Sequence, residues 1–375
     1  MSAITASTTS TSTSKPHVVS LGEPKHISAE YLAEFTKDFN FSFVPAAGRQ
    51  EAIKLLPSFI EQNGPVDAFI IRMGTLDYEP FDQELLGPLV PHCRIIASAS
   101  AGYNEFDVDW MTSQGIWFTN TVDGVAEATA DMAMFLILAV LRNTTVAEKC
   151  ARSGKWRGVP GLVPARDPTG LTLGIVGMGA IGKVEDSLLS SGVLIRANVT
   201  SSIQYLARKA KVFNLKIVYY NRNRLPVDVE AQYDATYCAS LHELLSKADI
   251  VSLSCPLNAH TTGLMGRAEF AAMKDGSFLV NTARGAIIDE PSLIEALESG
   301  KVARAGLDVF PEEPNINPYF LESDKVIIQP HLGGLTDVAF QKAERECFEN
   351  IKALWRSGKP NSPVVNLNSP PPGEK

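Results

Sequence analysis

An apolar run that ends in three closely spaced glycines constrains the fold of this chain more than any other feature. Residues 171–182 read LTLGIVGMGAIG, so a strand-like run leads into the pattern G-x-G-x-x-G. One glycine of this pattern permits a tight turn, one lets the backbone approach a pyrophosphate, and one allows a helix to pack closely on the strand. The N–H groups at the start of that helix favour a phosphate. The residues predicted to contact a dinucleotide here are Gly177, Gly179, Ala180, Ile181 and Gly182.

Strand-like and helix-like stretches alternate on both sides of this turn. The strand-like runs are short and rich in β-branched residues, as buried parallel strands are. They are HVVSLG, DAFIIRM and CRIIASAS before the turn, and LKIVYY, DIVSLS, SFLVN, VARAGLDV and KVIIQP after it. The alternation predicts an α/β fold of two doubly wound parallel-sheet, Rossmann-like domains with a cleft between them.

Composition and charge exclude several classes of protein. The 375 residues include 34 Lys and Arg against 42 Asp and Glu, and the net charge of −8 argues against a nucleic-acid partner. The five cysteines are scattered without a C-x-x-C pair, which favours reduced thiols over disulfides or a zinc site, so no metal is expected. The longest uninterrupted apolar run, 132–141, is about half a membrane span. No membrane partner is therefore expected.

No targeting signal is expected at either end of the chain. Residues 1–14 contain ten Ser or Thr and neither an arginine nor an apolar block. A secretory signal needs an apolar region and a transit peptide favours arginine, so a disordered tail is expected there. The final residues, NSPPPGEK, lack a peroxisomal S-K-L. Together with the reduced thiols, these observations predict a cytoplasmic protein.

A 21-residue segment after the glycine turn disturbs the spacing expected of a dinucleotide-binding unit. The residue that contacts the ribose should lie about twenty residues after the turn, but 38 residues separate Gly182 from Asn221. Without residues 184–204 the separation is 17, and GMGAIGK continues into YLARKAKVFNLKIVYYNRN as one amphipathic helix that enters a strand. The segment is therefore predicted to be an insertion, namely a retained intron whose length keeps the reading frame. A genuine surface insertion is the alternative.

The ribose-contacting position carries Asn221 followed by Arg222, with Arg224 nearby. A carboxylate at this position would accept hydrogen bonds from the ribose hydroxyls and repel a 2′-phosphate. An uncharged Asn beside an arginine does the reverse, so Asn221 and Arg222 predict that NADP(H) is preferred. NAD(H) stays possible, because an arginine after a strand is often only solvated.

Three short stretches downstream carry a family resemblance: NTARGAIIDE (281–290), GLDVFPEEP (306–314) and QPHLGG (329–334). With the glycine turn, they resemble the D-isomer-specific 2-hydroxyacid dehydrogenases in order and spacing over roughly residues 60–360. Within that family the chain is most similar to the glyoxylate and hydroxypyruvate reductases. The resemblance implies NAD(P)H-dependent reduction of a small 2-keto acid to the D-2-hydroxy acid.

The resemblance assigns three residues to the chemical step. Arg284 matches the substrate-binding arginine, Glu313 the orienting acid and His331 the acid/base. Reduction develops negative charge on the keto oxygen, and a guanidinium can bind the carboxylate and polarise that oxygen. A histidine can donate the proton and recover it in the reverse direction. A carboxylate behind the imidazole orients the ring and stabilises its protonated form.

The resemblance also implies binding positions outside this triad. In SASAGYN, the backbone amides of Ala101 and Gly102 match those that receive the substrate carboxylate. The remaining cofactor positions implied are Cys255, Pro256, Thr282, Asp308 and Gly333. Among them, Asp308 is expected to hold the carboxamide of the nicotinamide.

Domain organisation and oligomeric state follow from the same resemblance. Residues 15–122 with 335–362 would form the substrate domain, and 123–334 the dinucleotide-binding domain. A homodimer is expected through the apolar helix 125–142, unless that helix is simply core. Two alternatives stay open: a nucleotide-sensing, non-enzymatic protein of the same fold, and a form inactivated by the segment 184–204.

Overall fold

The computed structural model describes five stretches of the chain: residues 15–74, 76–121, 123–160, 162–177 and 202–364. The predicted tail, 1–14, lies outside these stretches, as do residues 184–201 of the predicted insertion. The chain divides into two compact units. Unit 1 comprises Met1–Thr121 and Glu344–Lys375, and unit 2 comprises Val122–Ala343.

Unit 1 contains a parallel sheet of five strands. The strands are β1 (His17–Leu21), β2 (Asn40–Val44), β3 (Ala68–Ile71), β4 (Ile95–Ser98) and β5 (Trp117–Thr119). The helices between them are α1 (Ala29–Phe35), α2 (Arg49–Asn63), α3 (Gln83–Leu86) and α4 (Val108–Ser113). In space the strands lie in the order β2-β1-β3-β4-β5, so the direction of winding reverses between β1 and β3.

The local sequence of unit 1 explains its strands and the starts of its helices. β3 and β4 are buried at every position, as expected of inner strands in a parallel sheet. The Ser28 hydroxyl accepts a hydrogen bond from the Tyr31 N–H at the start of α1, and the Asp107 carboxylate accepts one from the Trp110 N–H at the start of α4. Such caps satisfy backbone donors that have no partner inside the helix.

Unit 2 contains a parallel sheet of seven strands. The strands are β6 (Thr172–Val176), β7 (Lys216–Tyr220), β8 (Ala235–Tyr237), β9 (Ile250–Leu253), β10 (Ser277–Asn281), β11 (Val302–Leu307) and β12 (Val326–Ile328). The helices are α5 (Asp123–Arg142), α6 (Thr144–Arg152), α7 (Ser202–Val212), α8 (Val227–Tyr233), α9 (Leu241–Lys247), α10 (Arg267–Ala272), α11 (Glu290–Glu298) and α12 (Pro318–Glu322). A last helix, α13 (Asp337–Ser357), begins in unit 2 and ends in unit 1.

The seven-stranded sheet has a hydrophobic core on each face. Ile175 and Ile217 join the core that includes α5 and α7, whereas their neighbours Val176 and Val218 join the core that includes α9, α10 and α11. Successive side chains of a strand point to opposite faces, so both faces of the sheet are covered by helices. The strand order β12-β11-β10-β9-β6-β7-β8 reverses between β6 and β9. Two doubly wound parallel sheets therefore confirm the predicted fold class.

Helix α5 is apolar because it is buried. By length and composition alone this 20-residue helix could span a membrane, although its longest uninterrupted apolar run is only 132–141. Yet 61% of its most apolar 18-residue window is buried. Leu136, Ile137 and Val140 are fully buried in the same core as α7 and the sheet. Packing inside unit 2 accounts for the composition of this helix.

Helix α7 includes the last three residues of the predicted insertion, 202–204. Leu206, Ala207 and Ala210 pack in the core with α5. Lys209 lies 2.8 Å from the Asp131 carboxylate on α5, which adds an ion pair to the same contact. The part of α7 after residue 204 therefore has the apolar face that the sequence predicts for the helix entering β7.

Candidate active site

The three side chains assigned to the chemical step follow three neighbouring strands of unit 2. Arg284 follows β10, Glu313 follows β11 and His331 follows β12. Because β10, β11 and β12 are adjacent and parallel, their carboxyl ends lie at one edge of the sheet. The topology thus brings to one edge three residues that lie up to 47 positions apart in the sequence.

Glu313 and His331 form a direct contact. The Nδ1 atom of His331 lies 2.7 Å from Oε2 of Glu313, and the Phe310 N–H donates to Oε1 at 2.9 Å. Burial acts to raise the pKa of Glu313. The hydrogen bond from His331, the Phe310 N–H and the positive charge of Arg284 outweigh burial and hold that pKa below its usual value. Glu313 is therefore ionised at neutral pH.

The ionised Glu313 fixes the tautomer of His331. A carboxylate can only accept hydrogen bonds, so the hydrogen on this contact belongs to Nδ1 of the imidazole. This leaves Nε2 as the ring nitrogen without the Glu313 contact. The His331 side chain as a whole is 44% exposed.

The backbone of His331 lies in the left-handed region, with φ of +54°. This conformation costs a non-glycine residue about 1–2 kcal/mol and must be held by its surroundings. Asp308 holds it through three hydrogen bonds of 2.8 Å. Its carbonyl accepts from the His331 N–H, and its carboxylate accepts from the N–H groups of Leu332 and Gly333. A Cβ on Gly333 would lie 2.8 Å from that carboxylate, so glycine permits the close approach.

The structure thus gives Asp308 a positioning task that the sequence did not predict. It is 1% exposed, and burial raises its pKa despite the two N–H donors. Each carboxylate oxygen already accepts one backbone hydrogen bond. An oxygen has a second lone pair, so these bonds do not conflict with its expected contact to a carboxamide.

The loop that carries Arg284 is fixed from both sides. Asn281, fully buried, donates its side-chain N–H to the Arg284 carbonyl at 2.9 Å and accepts from the Ala283 N–H at 3.0 Å. A Cβ on Gly285 would lie 2.0 Å from the carbonyl carbon of Phe310. Only glycine therefore allows this loop to lie against the backbone that leads to Glu313.

A second group of predicted residues meets where the winding of unit 2 reverses. Gly177 has φ of +96°, and a Cβ there would lie 2.6 Å from the Cys255 backbone nitrogen. The Gly177 N–H donates to the Tyr220 carbonyl at 2.9 Å, which joins this turn to the end of β7 and hence to Asn221. Burial raises the pKa of the Cys255 thiol to about 11, so the side chain is neutral. The edge between β6 and β9 is where doubly wound sheets bind dinucleotides, and the bare backbone of Gly177 fits that use.

The remaining cofactor positions lie at the same edge of the sheet. Thr282 follows β10 directly, and Pro256 follows Cys255 after β9, with its carbonyl accepting from the Thr261 hydroxyl at 2.7 Å. Asn221 is 8% exposed, whereas Arg222 is exposed. Four further predicted residues lie outside the described part of the chain: Gly179, Ala180, Ile181 and Gly182.

Ala101 and Gly102 belong to unit 1, in the loop after β4. Polar side chains hold the backbone of this loop. The Asn120 side-chain N–H donates to the Ala101 carbonyl at 2.6 Å, and the Ser100 hydroxyl donates to the Gly102 carbonyl at 2.9 Å. With these carbonyls engaged, the loop is a defined element that could present its amides to an anion.

Metal binding is not supported by the described part of the chain, which contains no group of three or more His, Cys, Asp or Glu side chains placed to hold a metal ion.

The sequence did not predict two residues that fix this geometry, Asn281 and Gly285. Both lie in the stretch NTARG. Two features of this stretch could have indicated their roles: an Asn at the end of an apolar strand, and a glycine directly after the arginine. The left-handed backbone of His331 had no such signal.

A protein-family model described as D-isomer specific 2-hydroxyacid dehydrogenase, NAD binding domain, matches residues 203–333. A dehydrogenase of Hormonema carpetanum, efuE, is 56% identical over 349 residues, which cover 93% of this chain and 82% of that protein. The 4-methyl-2-oxopentanoate reductase A of Aspergillus oryzae is 36% identical, covering 92% of this chain and 96% of that protein. The crystal structure of a glyoxylate reductase from Paecilomyes thermophila is 34% identical, with a TM-score of 0.79, and the match covers 93% of this chain and 98% of that one.

Proposed function

The chain belongs to the D-isomer specific 2-hydroxyacid dehydrogenase family, and on this basis we propose that it reduces a small 2-keto acid of the glyoxylate or hydroxypyruvate type to the D-2-hydroxy acid, with NADPH as the preferred reductant. The observation that carries this proposal is the 2.7 Å contact between His331 Nδ1 and an ionised Glu313, at the same sheet edge as Arg284.

His331 supplies the proton in the proposed reaction. Glu313 accepts from Nδ1 and stabilises the protonated ring, so the proton on Nε2 is available to the keto oxygen. In the reverse direction the neutral Nε2 accepts the proton from the hydroxyl. The hydrogen bonds of Asp308 keep the ring in place during both directions.

Arg284 binds the substrate in this proposal. Its guanidinium attracts the carboxylate of the 2-keto acid and stabilises the negative charge that develops on the keto oxygen. We further propose that the amides of Ala101 and Gly102 are additional donors to the carboxylate. The proteins similar to this one include a glyoxylate reductase and a 4-methyl-2-oxopentanoate reductase. The two compounds in these names are both 2-keto acids, and they differ in the group attached to the keto carbon.

The residues at the β6–β9 edge would hold the dinucleotide, which supplies the hydride when bound. Gly177 and Cys255 would lie along it, Asn221 and Arg222 would face the adenosine ribose, and Thr282, Pro256 and Gly333 would line the remainder. The preference for NADPH rests on Arg222, whose positive charge follows the uncharged Asn221 at the end of β7. We assign unit 2 to the dinucleotide and unit 1 to the substrate carboxylate.

A spectrophotometric screen tests the proposed function. Oxidation of NADPH and of NADH is followed at the nicotinamide absorbance band with glyoxylate, hydroxypyruvate and branched 2-keto acids, and the chirality of each product is determined. The proposal expects turnover of at least one short 2-keto acid, a D product and a higher kcat/KM with NADPH. No turnover of any 2-keto acid, or an L product, would contradict it.

We also propose that the protein is a homodimer and that 184–204 is an insertion. Phe135 on α5 stays 49% exposed among buried neighbours, which offers a second copy an apolar contact. Light scattering of the wild type and of Phe135→Glu tests the dimer, which should dissociate in the variant.

The family match supports the insertion. It begins at residue 203 although β6 and Gly177 precede it, as expected if the intervening residues interrupt the family pattern.

A further inference from the structure

A buried carboxylate fixes the loop that follows β7. Glu230, on α8, is 7% exposed and accepts two hydrogen bonds from Arg224, from Nε to Oε1 and from Nη2 to Oε2, each at 2.8 Å. Two parallel bonds between a guanidinium and a carboxylate combine strength with a defined geometry. They occupy one edge of the Arg224 guanidinium, and the negative charge of Glu230 offsets its positive charge.

Two tyrosines complete this arrangement. The Tyr219 hydroxyl, fully buried, donates to Glu230 Oε1 at 2.5 Å and accepts from the Leu225 N–H at 3.0 Å. The Arg224 guanidinium lies over the Tyr237 ring, 5.5 Å from its centroid. The hydrogen bonds from Arg224 and Tyr219 lower the pKa of Glu230 to about 2 despite its burial, so the carboxylate stays charged at ordinary pH.

Arg222, two positions earlier, is in a different environment. Both arginines are exposed, but within the described ranges Arg222 forms no ion pair, whereas Arg224 is paired with Glu230. It directly follows Asn221, the position that faces the ribose in a dinucleotide-binding unit of this type. An arginine without an acidic partner keeps its full charge for an incoming phosphate.

We propose that Glu230 withdraws Arg224 from the nucleotide and leaves Arg222 as the residue that recognises a 2′-phosphate. Glu230 is then a positioning residue that limits the selectivity for NADPH over NADH. Two arginines that look equivalent in NRNR act differently, because only one has a buried carboxylate within reach. This inference rests on the proposed function, since it concerns the nucleotide of that reaction.

Binding of nucleotide fragments tests the inference without any turnover. Isothermal titration calorimetry of the full chain with 2′,5′-ADP and with AMP gives a ratio of dissociation constants that reports recognition of the 2′-phosphate alone. Arg222→Gln and Arg224→Gln are a matched pair, because each replaces a guanidinium with an amide that can still donate a hydrogen bond. Glu230→Gln removes the charge and keeps an acceptor of similar shape.

Five results are expected. Arg222→Gln lowers the preference for 2′,5′-ADP about 10- to 100-fold, the scale of one charge-assisted contact. Arg224→Gln changes it less than about threefold, and Glu230→Gln raises it by about threefold or more, the scale of one exposed charge interaction. In the double variant Glu230→Gln/Arg224→Gln the gain disappears, because the guanidinium that was released is absent. Glu148→Gln, which removes a surface partner of Arg152 on α6, leaves the preference unchanged.

Any of three results would overturn the inference: an equal loss in Arg224→Gln and Arg222→Gln, an unchanged or lower preference in Glu230→Gln, or a gain that persists in the double variant. Absence of binding to either fragment overturns it as well. The Arg222/Arg224 comparison decides the matter even if Glu230→Gln fails to fold, which circular dichroism detects. Failure of 2-keto acid turnover with these binding results intact would instead contradict only the proposed reaction.

Discussion

Replacement of Glu313 by glutamine should separate the role of its charge from that of its shape. In the wild type, Oε2 accepts from His331 Nδ1 at 2.7 Å while Oε1 accepts from the Phe310 N–H at 2.9 Å. Glutamine has one oxygen, so it can serve only one of these donors. If the oxygen faces Phe310, the amide N–H group faces Nδ1 and opposes protonation of the ring. If it faces His331, the Phe310 N–H meets another donor.

The expected loss follows from the bond that is removed. A hydrogen bond to a charged group contributes about 1.5–3 kcal/mol, and about 1.4 kcal/mol corresponds to tenfold. The kcat/KM for 2-keto acid reduction should therefore fall about 10- to 100-fold in Glu313→Gln. The two directions share one transition state and the equilibrium constant of the reaction does not change, so kcat/KM for oxidation should fall by a similar factor at the same pH.

Steady-state assays in both directions measure this loss. Glu312→Gln is the matched control, because Glu312 is the exposed neighbour of Glu313 and does not contact His331. Its kinetics should equal those of the wild type. Two results would contradict this role of the Glu313 charge: a Glu313→Gln variant that keeps at least half of the wild-type kcat/KM, or a Glu312→Gln variant whose kcat/KM falls as far as that of Glu313→Gln.

Three further predictions address other parts of the site. Arg284→Ala should raise KM for the 2-keto acid and lower kcat. Arg284→Lys should restore only part of the activity, because an ammonium lacks the planar geometry of a guanidinium. Full activity in Arg284→Lys would show that Arg284 does not bind a carboxylate through both guanidinium nitrogens. Gly285→Ala should lower the thermal unfolding midpoint and the activity together, because its Cβ would lie 2.0 Å from the Phe310 carbonyl carbon and overpacking costs about 1–3 kcal/mol; an unchanged melting curve by circular dichroism would contradict this. Deletion of 184–204 should strengthen NADPH binding measured by calorimetry, and transcripts sequenced across Lys183–Tyr205 should include a form without the segment. A deletion variant that binds NADPH no more tightly than the full chain, together with only the long transcript, would contradict this.

The alternation of strands and helices predicts the fold because each element buries its own apolar face, which is a local property. The order of the strands then brings Arg284, Glu313 and His331 to one edge of the sheet, and their sequence motifs predict the triad. The use of Asp308 to hold the His331 turn was not predictable in this way, because it depends on the path of a backbone with φ of +54°.

The pairing of Arg224 with Glu230 shows a second limit. Their separation of six positions is not one of the three- or four-residue spacings that bring side chains together on a helix. The contact exists because the loop after β7 folds back onto the start of α8, with Tyr219 beneath it. Similarly, the apolar composition of α5 is compatible with an interface, a membrane or a core, and only its packing against α7 and the sheet shows that most of it is core.

In the proposed reaction, His331 is the residue that moves the proton during 2-keto acid reduction. Single-turnover oxidation of bound NADPH by the preferred 2-keto acid tests it most directly, with the wild type, His331→Ala and the control His242→Ala, an exposed histidine on α9. We expect the rate to fall roughly 10²–10⁴-fold in His331→Ala, with an unchanged NADPH dissociation constant, and we expect wild-type rates in His242→Ala. A His331→Ala rate within a few fold of the wild type would show that the proton comes from another group.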